Sequence, residues 1–267
     1  MKDKIDLTVV IPTNRIQYLE EAINSVLTQK RKKCSILVVD DCAPVSIRSH
    51  LGSRFPDVIF VRHKKNRGLP ASRNTGVKFV KTKYVCFLDC DDLLKPEFAK
   101  EMIVACQSSN AGAVTCLPHF FFSPDFPLKR KIIFFLLNSI RDSALLTSFW
   151  LNKKTLPKDG FFLTQFSHVL FRKDVLDRFP SDENYLTAAN DWKLMAQILA
   201  NEKVVILPKR LSRYRYHHKS QSQTKNKIPR WNYYDKLLKE IPDVCKKGLL
   251  FNLFRLYNFL GKRMLPS

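Results

Sequence analysis

Over the first 116 residues, short apolar runs alternate with stretches whose apolar positions recur every three or four residues. Leu7–Ile11, Ser35–Val39, Val58–Val61, Tyr84–Leu88 and Ala113–Cys116 carry no charge and are rich in β-branched and aromatic side chains, so each predicts a strand. Between the first two, Tyr18–Gln29 sets apolar residues at 19, 22, 23, 26 and 27, the spacing of one helix face. Pro70–Val80 and Pro96–Gln107 each open on a proline near the first helical position, where its missing N–H has no helical partner to lose. Apolar runs without in–out alternation, separated by helices, predict an α/β fold with a mostly parallel sheet covered on both faces.

From Leu117 the rhythm changes. Phe120–Pro127 holds four Phe and two Pro, and Lys131–Trp150 reads as a largely apolar helix. A strand is expected at Val169–Phe171, a helix at Ala188–Ala200 and a strand at Val204–Leu207. Near the end, Leu249–Leu260 is apolar at 249, 250, 253, 254, 256, 257 and 260, with Asn252, Arg255 and Asn258 as a polar stripe. There is no internal repeat and no low-complexity linker. The expected organisation is residues 1–116 and 117–222 as two halves of one domain, followed by a basic helical extension over 223–267.

Charge changes this picture most at the C-terminal side. The 267 residues carry a formal net charge of +22, and the last 65 alone hold 16 Lys and Arg against 3 Asp and Glu. Such a balance implies an anionic partner, nucleic acid or an anionic membrane surface, against the plainer role of a solubilising face. Basic tracts with interleaved aromatics, "KRLSRYRYHHK" and "RWNYYDK", match no nucleic-acid module, so no nucleic-acid partner is expected. The seven cysteines, 34, 42, 86, 90, 106, 116 and 245, form no CxxC pair and no zinc spacing, and read as reduced thiols of a cytoplasmic protein. No secretory leader is apparent at the start, and no run of 18 apolar residues occurs.

In an open parallel sheet, ligands bind beyond the carboxyl ends of the strands. That rule selects Pro12-Thr13-Asn14, Asp40-Asp41 and Asp89-Cys90-Asp91-Asp92, and so brings two acidic clusters to one edge. A lone Asp at a strand end often caps a helix or closes a turn, and for Asp92, ahead of the helix near Pro96, that role competes. Asp89 and Asp91, at alternate positions, can instead converge on one cation. Mg²⁺ or Mn²⁺ is usually held by one or two carboxylates plus substrate phosphates. The chain has no GxxxxGK[ST] and no GxGxxG after its first strand, and Pro12 and Thr13 stand where an aspartyl-nucleophile phosphatase would need Asp.

Four blocks, "TVVIPTNRIQYLEEAINSVLTQ", "ILVVDDCAP", "NRGLPASRNTGVKFVKTKYVCFLDCDDLLKPEF" and "TAANDWKLMAQILA", resemble family 2 glycosyltransferases of the GT-A fold. The resemblance spans about residues 5–220, with 117–164 poorly matched, and implies an inverting, nucleotide-sugar-dependent, metal-dependent enzyme. It implies that Pro12 and Thr13 line the nucleotide pocket and that Asp41 bonds the uracil of a UDP donor. Arg73 and Asn74 stand where the family contacts nucleotide and diphosphate. Asp89 and Asp91 are the ends of the DxD motif, Asp91 as direct metal ligand and Asp89 nearer the ribose or sugar. Asp191 matches the catalytic base, and His217, in "YRYHHKSQS", matches a histidine that approaches the metal, with His218 adjacent. Three departures stand out. The first motif is one residue shorter than the usual IPTYNR, Asn190 replaces the Glu before the base, and there is no QxxRW, which implies addition of a single sugar.

The implied partners are a nucleotide-sugar donor, a cell-surface glycan or lipid-linked acceptor, and an anionic membrane surface on the cytoplasmic side of an inner membrane. For the C-terminal helix two roles compete: docking on that surface through Lys246, Lys247, Arg255, Lys262 and Arg263, or packing on the domain. Lys131–Trp150 and the Phe-rich stretch before it form a second such candidate. A sugar-phosphate nucleotidyltransferase would also use strand-end aspartates and Mg²⁺ but would leave Asp191 without a role. A catalytically silent sugar-nucleotide or membrane-binding scaffold would not require Asp89, Asp91 and Asp191 together.

Overall fold

A computed structural model describes residues 6–30, 34–151, 155–156, 166–184, 189–217 and 239–241. The expected C-terminal helix, His218 and Cys245 lie outside the described residues.

The strand runs become one sheet in the order β3-β2-β1-β4-β7-β6-β8-β5. Strand β1 (Leu7–Thr13) is buried along its length and lies parallel to β2 (Cys34–Asp40) on one side and β4 (Tyr84–Phe87) on the other. Strand β3 (Ile59–Arg62) extends that parallel half. Beyond β4 the sheet is mixed: β7 (Val169–Arg172) runs antiparallel to β4 and to β6 (Ala113–Phe122). Strand β8 (Val204–Tyr216) runs parallel to β6, with the two-residue β5 (Leu93–Leu94) antiparallel at its outer side.

Two cores, one on each face, explain the unbroken apolar runs. On one face Val9, Ile11, Ile36 and Val38 meet α1 (Leu19–Leu27), α2 (Ile47–Leu51) and α4 (Phe98–Ser109). On the other, Val10, Leu37 and Val39 meet α3 (Leu69–Phe79), α6 (Lys173–Arg178) and α7 (Ala189–Asn201). Helix α3 lies so close to β1 that a Cβ on Gly76 would stand 2.4 Å from Val10 Cγ1.

Strands β6 and β8 run well past the expected ends at Cys116 and Leu207, and β6 passes through the expected division at 116. Their register slips between Cys116 and Pro118, an irregularity of the kind that admits Pro within a sheet. Beyond it Phe120, Phe122, Tyr214 and Tyr216 pack as an aromatic group with Phe126 and Phe134. The first three Phe of the Phe-rich stretch therefore end β6, held by ring packing, and residues 123–127 turn toward the helix that follows. The apolar helix α5 (Leu128–Leu151) lies on the end of β8, with Asn138 Nδ2 donating to Tyr216 Oη at 3.0 Å. Among the described residues no helix is long and apolar enough to cross a membrane. Among the described cysteines, burial pushes the thiols of Cys34 and Cys116 up to about 12 and those of Cys90 and Cys106 up to about 11.

Candidate active site

The parallel pairing of β1, β2 and β4 brings Thr13, Asp40 and the Asp89–Asp92 turn to one edge of the sheet. Each strand end is then fixed by local hydrogen bonds. The Thr13 hydroxyl donates to the Arg15 carbonyl at 2.7 Å and accepts the Arg15 N–H at 3.1 Å, a tight turn after the buried Pro12. Asp40 serves the chain itself: its carboxylate accepts the Ala43 N–H at 2.8 Å and the Ile47 N–H at 3.2 Å, at the start of α2, and pairs with Arg62.

Asp41 is buried and heavily bonded. Its Oδ1 lies 2.8 Å from His63 Nδ1 and accepts the Arg67 N–H at 2.8 Å, while Oδ2 accepts the Gly68 N–H at 2.8 Å. His63 Nε2 in turn reaches Thr75 Oγ1 at 2.9 Å. This network shapes the loop entering α3, where Gly68 takes a positive φ of 85°.

From α3, Arg73 points inward and is fully buried. Its guanidinium pairs with Asp191 through Nη1, stands 3.8 Å from Asp89 through Nη2, and lies over the Phe166 ring at 4.4 Å. One buried cation thus joins the end of β4 to the first turn of α7, which are 102 positions apart in sequence. Asn74, the next residue, faces elsewhere. Its amide donates to the Ser181 carbonyl at 2.8 Å and to Glu183 Oε1 at 3.0 Å, and its Oδ1 accepts the Ser181 N–H at 2.9 Å. The structure does not bring Asn74 to the acidic group; it pins the segment ahead of α7, because every polar atom of its side chain is taken there.

The three aspartates of the β4 turn have distinct surroundings. The Asp89 side chain keeps 38% of its accessible surface, and its backbone N–H donates to Ser167 Oγ at 3.1 Å. Desolvation raises its carboxyl to about 6, with Arg73 opposing and the charges of Asp91 and Asp191 adding to the rise. Asp91 is more enclosed, and its Oδ2 takes Arg15 Nη2 at 2.7 Å and His217 Nε2 at 2.9 Å. Burial alone would raise its carboxyl, but the bond from His217 and the charge of Arg15 hold it below the ordinary range. Asp92 does more than close the turn with its N–H on the Asp89 carbonyl. Its Oδ1 accepts the Arg215 N–H at 3.0 Å, tying the turn to β8, and desolvation followed by the charges of Asp91 and Asp89 raises its carboxyl well above normal.

Three participants were not singled out from the sequence. Arg15 contacts Asp91 directly. Arg215 is buried; its Nε donates to the Asp91 carbonyl at 3.0 Å, its Nη2 reaches Glu21 Oε2 at 2.6 Å, and its guanidinium covers Tyr18 at 4.2 Å. His63 holds Asp41. The signal for Arg215 was present in "RYRYH": residues 213, 215 and 217 share one strand face, and 217 was already a candidate.

Can these donors hold a divalent cation? Among the described residues no three His, Cys, Asp or Glu side chains form a group able to hold a metal unaided. Asp91, kept ionised, with Asp89 accessible beside it and His217 in contact, fits a cation that takes its remaining ligands from a diphosphate. Arg15 would have to yield its place on Asp91.

Comparison with known proteins follows the same outline. The model of glycosyl transferase family 2 matches residues 8–179. An uncharacterised glycosyltransferase of Rickettsia felis is 46% identical over 90 residues, which are 33% of this chain and 15% of that protein, so the chain matches about a seventh of its relative's length. Among solved structures, Staphylococcus aureus TarS 1–349 in complex with UDP-GlcNAc aligns over 97% of this chain and 73% of its own, with TM-score 0.65 and 15% identity. The mannosyltransferase PcManGT of Pyrobaculum calidifontis, in complex with GDP-Man and Mn²⁺, aligns over 100% of this chain and 71% of its own, with TM-score 0.62 and 16% identity. These two likenesses establish the fold, an α/β GT-A sheet flanked by helices.

Proposed function

The chain belongs to glycosyl transferase family 2, and on that premise we propose that it transfers a single sugar, with inversion, from a UDP-linked donor to a hydroxyl of a cell-surface glycan or lipid-linked acceptor. The observation that carries this reading is the Arg73 bridge, which sets Asp191 beside the Asp89–Asp91 pair. That proximity supports reading one acidic group as fit for a cation and diphosphate and the other for an acceptor proton.

In the proposed reaction the acceptor hydroxyl attacks the anomeric carbon and gives its proton to an Asp191 oxygen, while the sugar–phosphate bond breaks and UDP leaves. A single displacement inverts the anomeric centre and requires no covalent nucleophile. When bound, Mn²⁺ or Mg²⁺ held by Asp91, Asp89 and His217 neutralises charge on the diphosphate. Arg73 orients Asp191 and separates its charge from that of Asp89. Asp41 has about four lone-pair directions and three are used by His63, Arg67 and Gly68, which leaves one for a uracil N3–H, with Pro12 and Thr13 beside it. Residues 1–116 would then serve the donor and residues 117–222 the acceptor and base.

TarS, solved with UDP-GlcNAc, and PcManGT, solved with GDP-Man and Mn²⁺, support a nucleotide-sugar donor and a divalent cation but differ in the base they carry. A thermal-shift panel of UDP-, GDP- and dTDP-sugars with and without Mn²⁺ tests the proposal. Ligand at about 100 times its dissociation constant stabilises by about 2.7 kcal/mol. A UDP-sugar with Mn²⁺ should raise Tm in the native chain and not in Asp91→Asn. No shift with any donor would refute the reading.

A further inference from the structure

We propose that α5 is a docking surface for an anionic lipid bilayer, on which the protein lies with Leu128, Ile132, Phe135 and Leu136 inserted and Lys129 and Lys131 on the phosphates. All four apolar side chains are exposed, Leu128 at 72% and Phe135 at 67% of their full surface. At 100° per residue they fall on one stripe, with Lys129 on one flank and Lys131 on the other. That is the arrangement of a helix lying in a membrane interface, apolar side chains toward the acyl boundary and lysines at headgroup level.

Two further features favour an anionic surface over an apolar protein partner. The first turn of α5 holds no acidic residue, while Lys129, Arg130 and Lys131 crowd its amino-terminal end. Cations there oppose the helix dipole, so this placement weakens the helix and is offset by an anion. The opposite face is committed to the protein. Ile133, Phe134 and Leu137 are buried, Asn138 bonds Tyr216, and Asp142 pairs with Arg210 at 2.7 Å. A helix with Asn138, Arg141 and Asp142 on its inner face lies on a bilayer and does not cross it.

The position is also apt. The inner face of α5 packs on Tyr216, one residue before His217 on Asp91. A bilayer on the outer face would therefore lie about one helix diameter, roughly 10–12 Å, from that packing layer. The surface stands independently of the catalytic assignment.

Flotation of the full chain on vesicles of phosphatidylcholine, with and without phosphatidylglycerol, tests it. The native chain should float with the phosphatidylglycerol vesicles and not with the neutral ones, and salt should release it. Phe135→Ser with Leu136→Ser, and separately Lys129→Glu with Lys131→Glu, should each lower partition about tenfold or more, whereas Lys246→Glu with Lys247→Glu should leave it high. Should the serine variant misfold by circular dichroism, the glutamate variant decides alone. The proposal is overturned if the native chain ignores anionic vesicles or if the α5 variants float as it does. It is also overturned if light scattering shows a dimer that Phe135→Ser with Leu136→Ser converts to monomer.

Discussion

Replacing Arg73 by Met removes the cation that joins Asp191 to Asp89 while keeping a chain long enough to fill the space. Breaking a buried ion pair typically costs about 3–5 kcal/mol. Here the partners retain water, Asp191 with 26% and Asp89 with 38% of their side-chain surface, so they are partly rehydrated on losing Arg73. The cation over Phe166 adds about 1–2 kcal/mol, partly replaced by a sulfur–ring contact. Against this, Arg73 Nε and Nη2 are buried without a hydrogen bond among the described residues, and their removal relieves a cost of about 1 kcal/mol or more. The balance is a loss of about 2 kcal/mol, which for a chain of this size lowers Tm by about 4–8 °C. Differential scanning fluorimetry measures it, with Arg73→Lys as a partial rescue that keeps the charge without the fork. Donor turnover should fall in both variants, because Asp191 is no longer held. A Tm within about 1 °C of native, with turnover unchanged, would refute the bridge as the organising contact.

Other consequences follow from single contacts. Arg15→Gln should tighten Mn²⁺ binding measured by calorimetry without donor, since the guanidinium competes for Asp91; weaker or equal binding would show that Arg15 is not a competitor. Gly76→Ala should destabilise by about 1–3 kcal/mol, because the added methyl meets Val10 across the α3–β1 contact. His168 is buried, and desolvation, then Arg141, depress its pKa well below the ordinary 6.5. The unfolded chain therefore binds a proton that the folded one refuses. The His168 contribution is fully present above pH 6.5 and is lost as pH falls, by up to about 1.4 kcal/mol per unit. Chemical denaturation of His168→Asn and native protein between pH 7.5 and 5 should show a shallower acid loss in the variant, and parallel curves would contradict it.

The parallel half of the fold was legible because burial on both faces leaves no charged residue within β1, β2 and β4 before the strand ends, and the rule of carboxyl-edge sites then located the aspartates. The long ends of β6 and β8 were not. The Phe and Pro residues of β6 follow no strand period, and the Arg–Tyr alternation of β8 has no apolar side of its own until Phe122 and Phe134 pack on Tyr216. The site shows the same division. Aspartates stand out in sequence, whereas Arg15 and Arg215 look like the other basic residues of a +22 chain until their contacts with Asp91 separate them. Asn74 shows the converse: a motif position next to a buried arginine need not face the same way, since adjacent helical residues point about 100° apart.

The central claim is that Asp191 accepts a proton in a single inverting displacement. Proton NMR of a UDP-α-sugar turned over slowly with water as acceptor tests it most directly, read alongside UDP binding by thermal shift. The account predicts that the first free sugar formed is the β anomer, and that Asp191→Asn binds UDP as the native chain does yet forms no sugar. An α anomer formed first, or native turnover in Asp191→Asn, would contradict it.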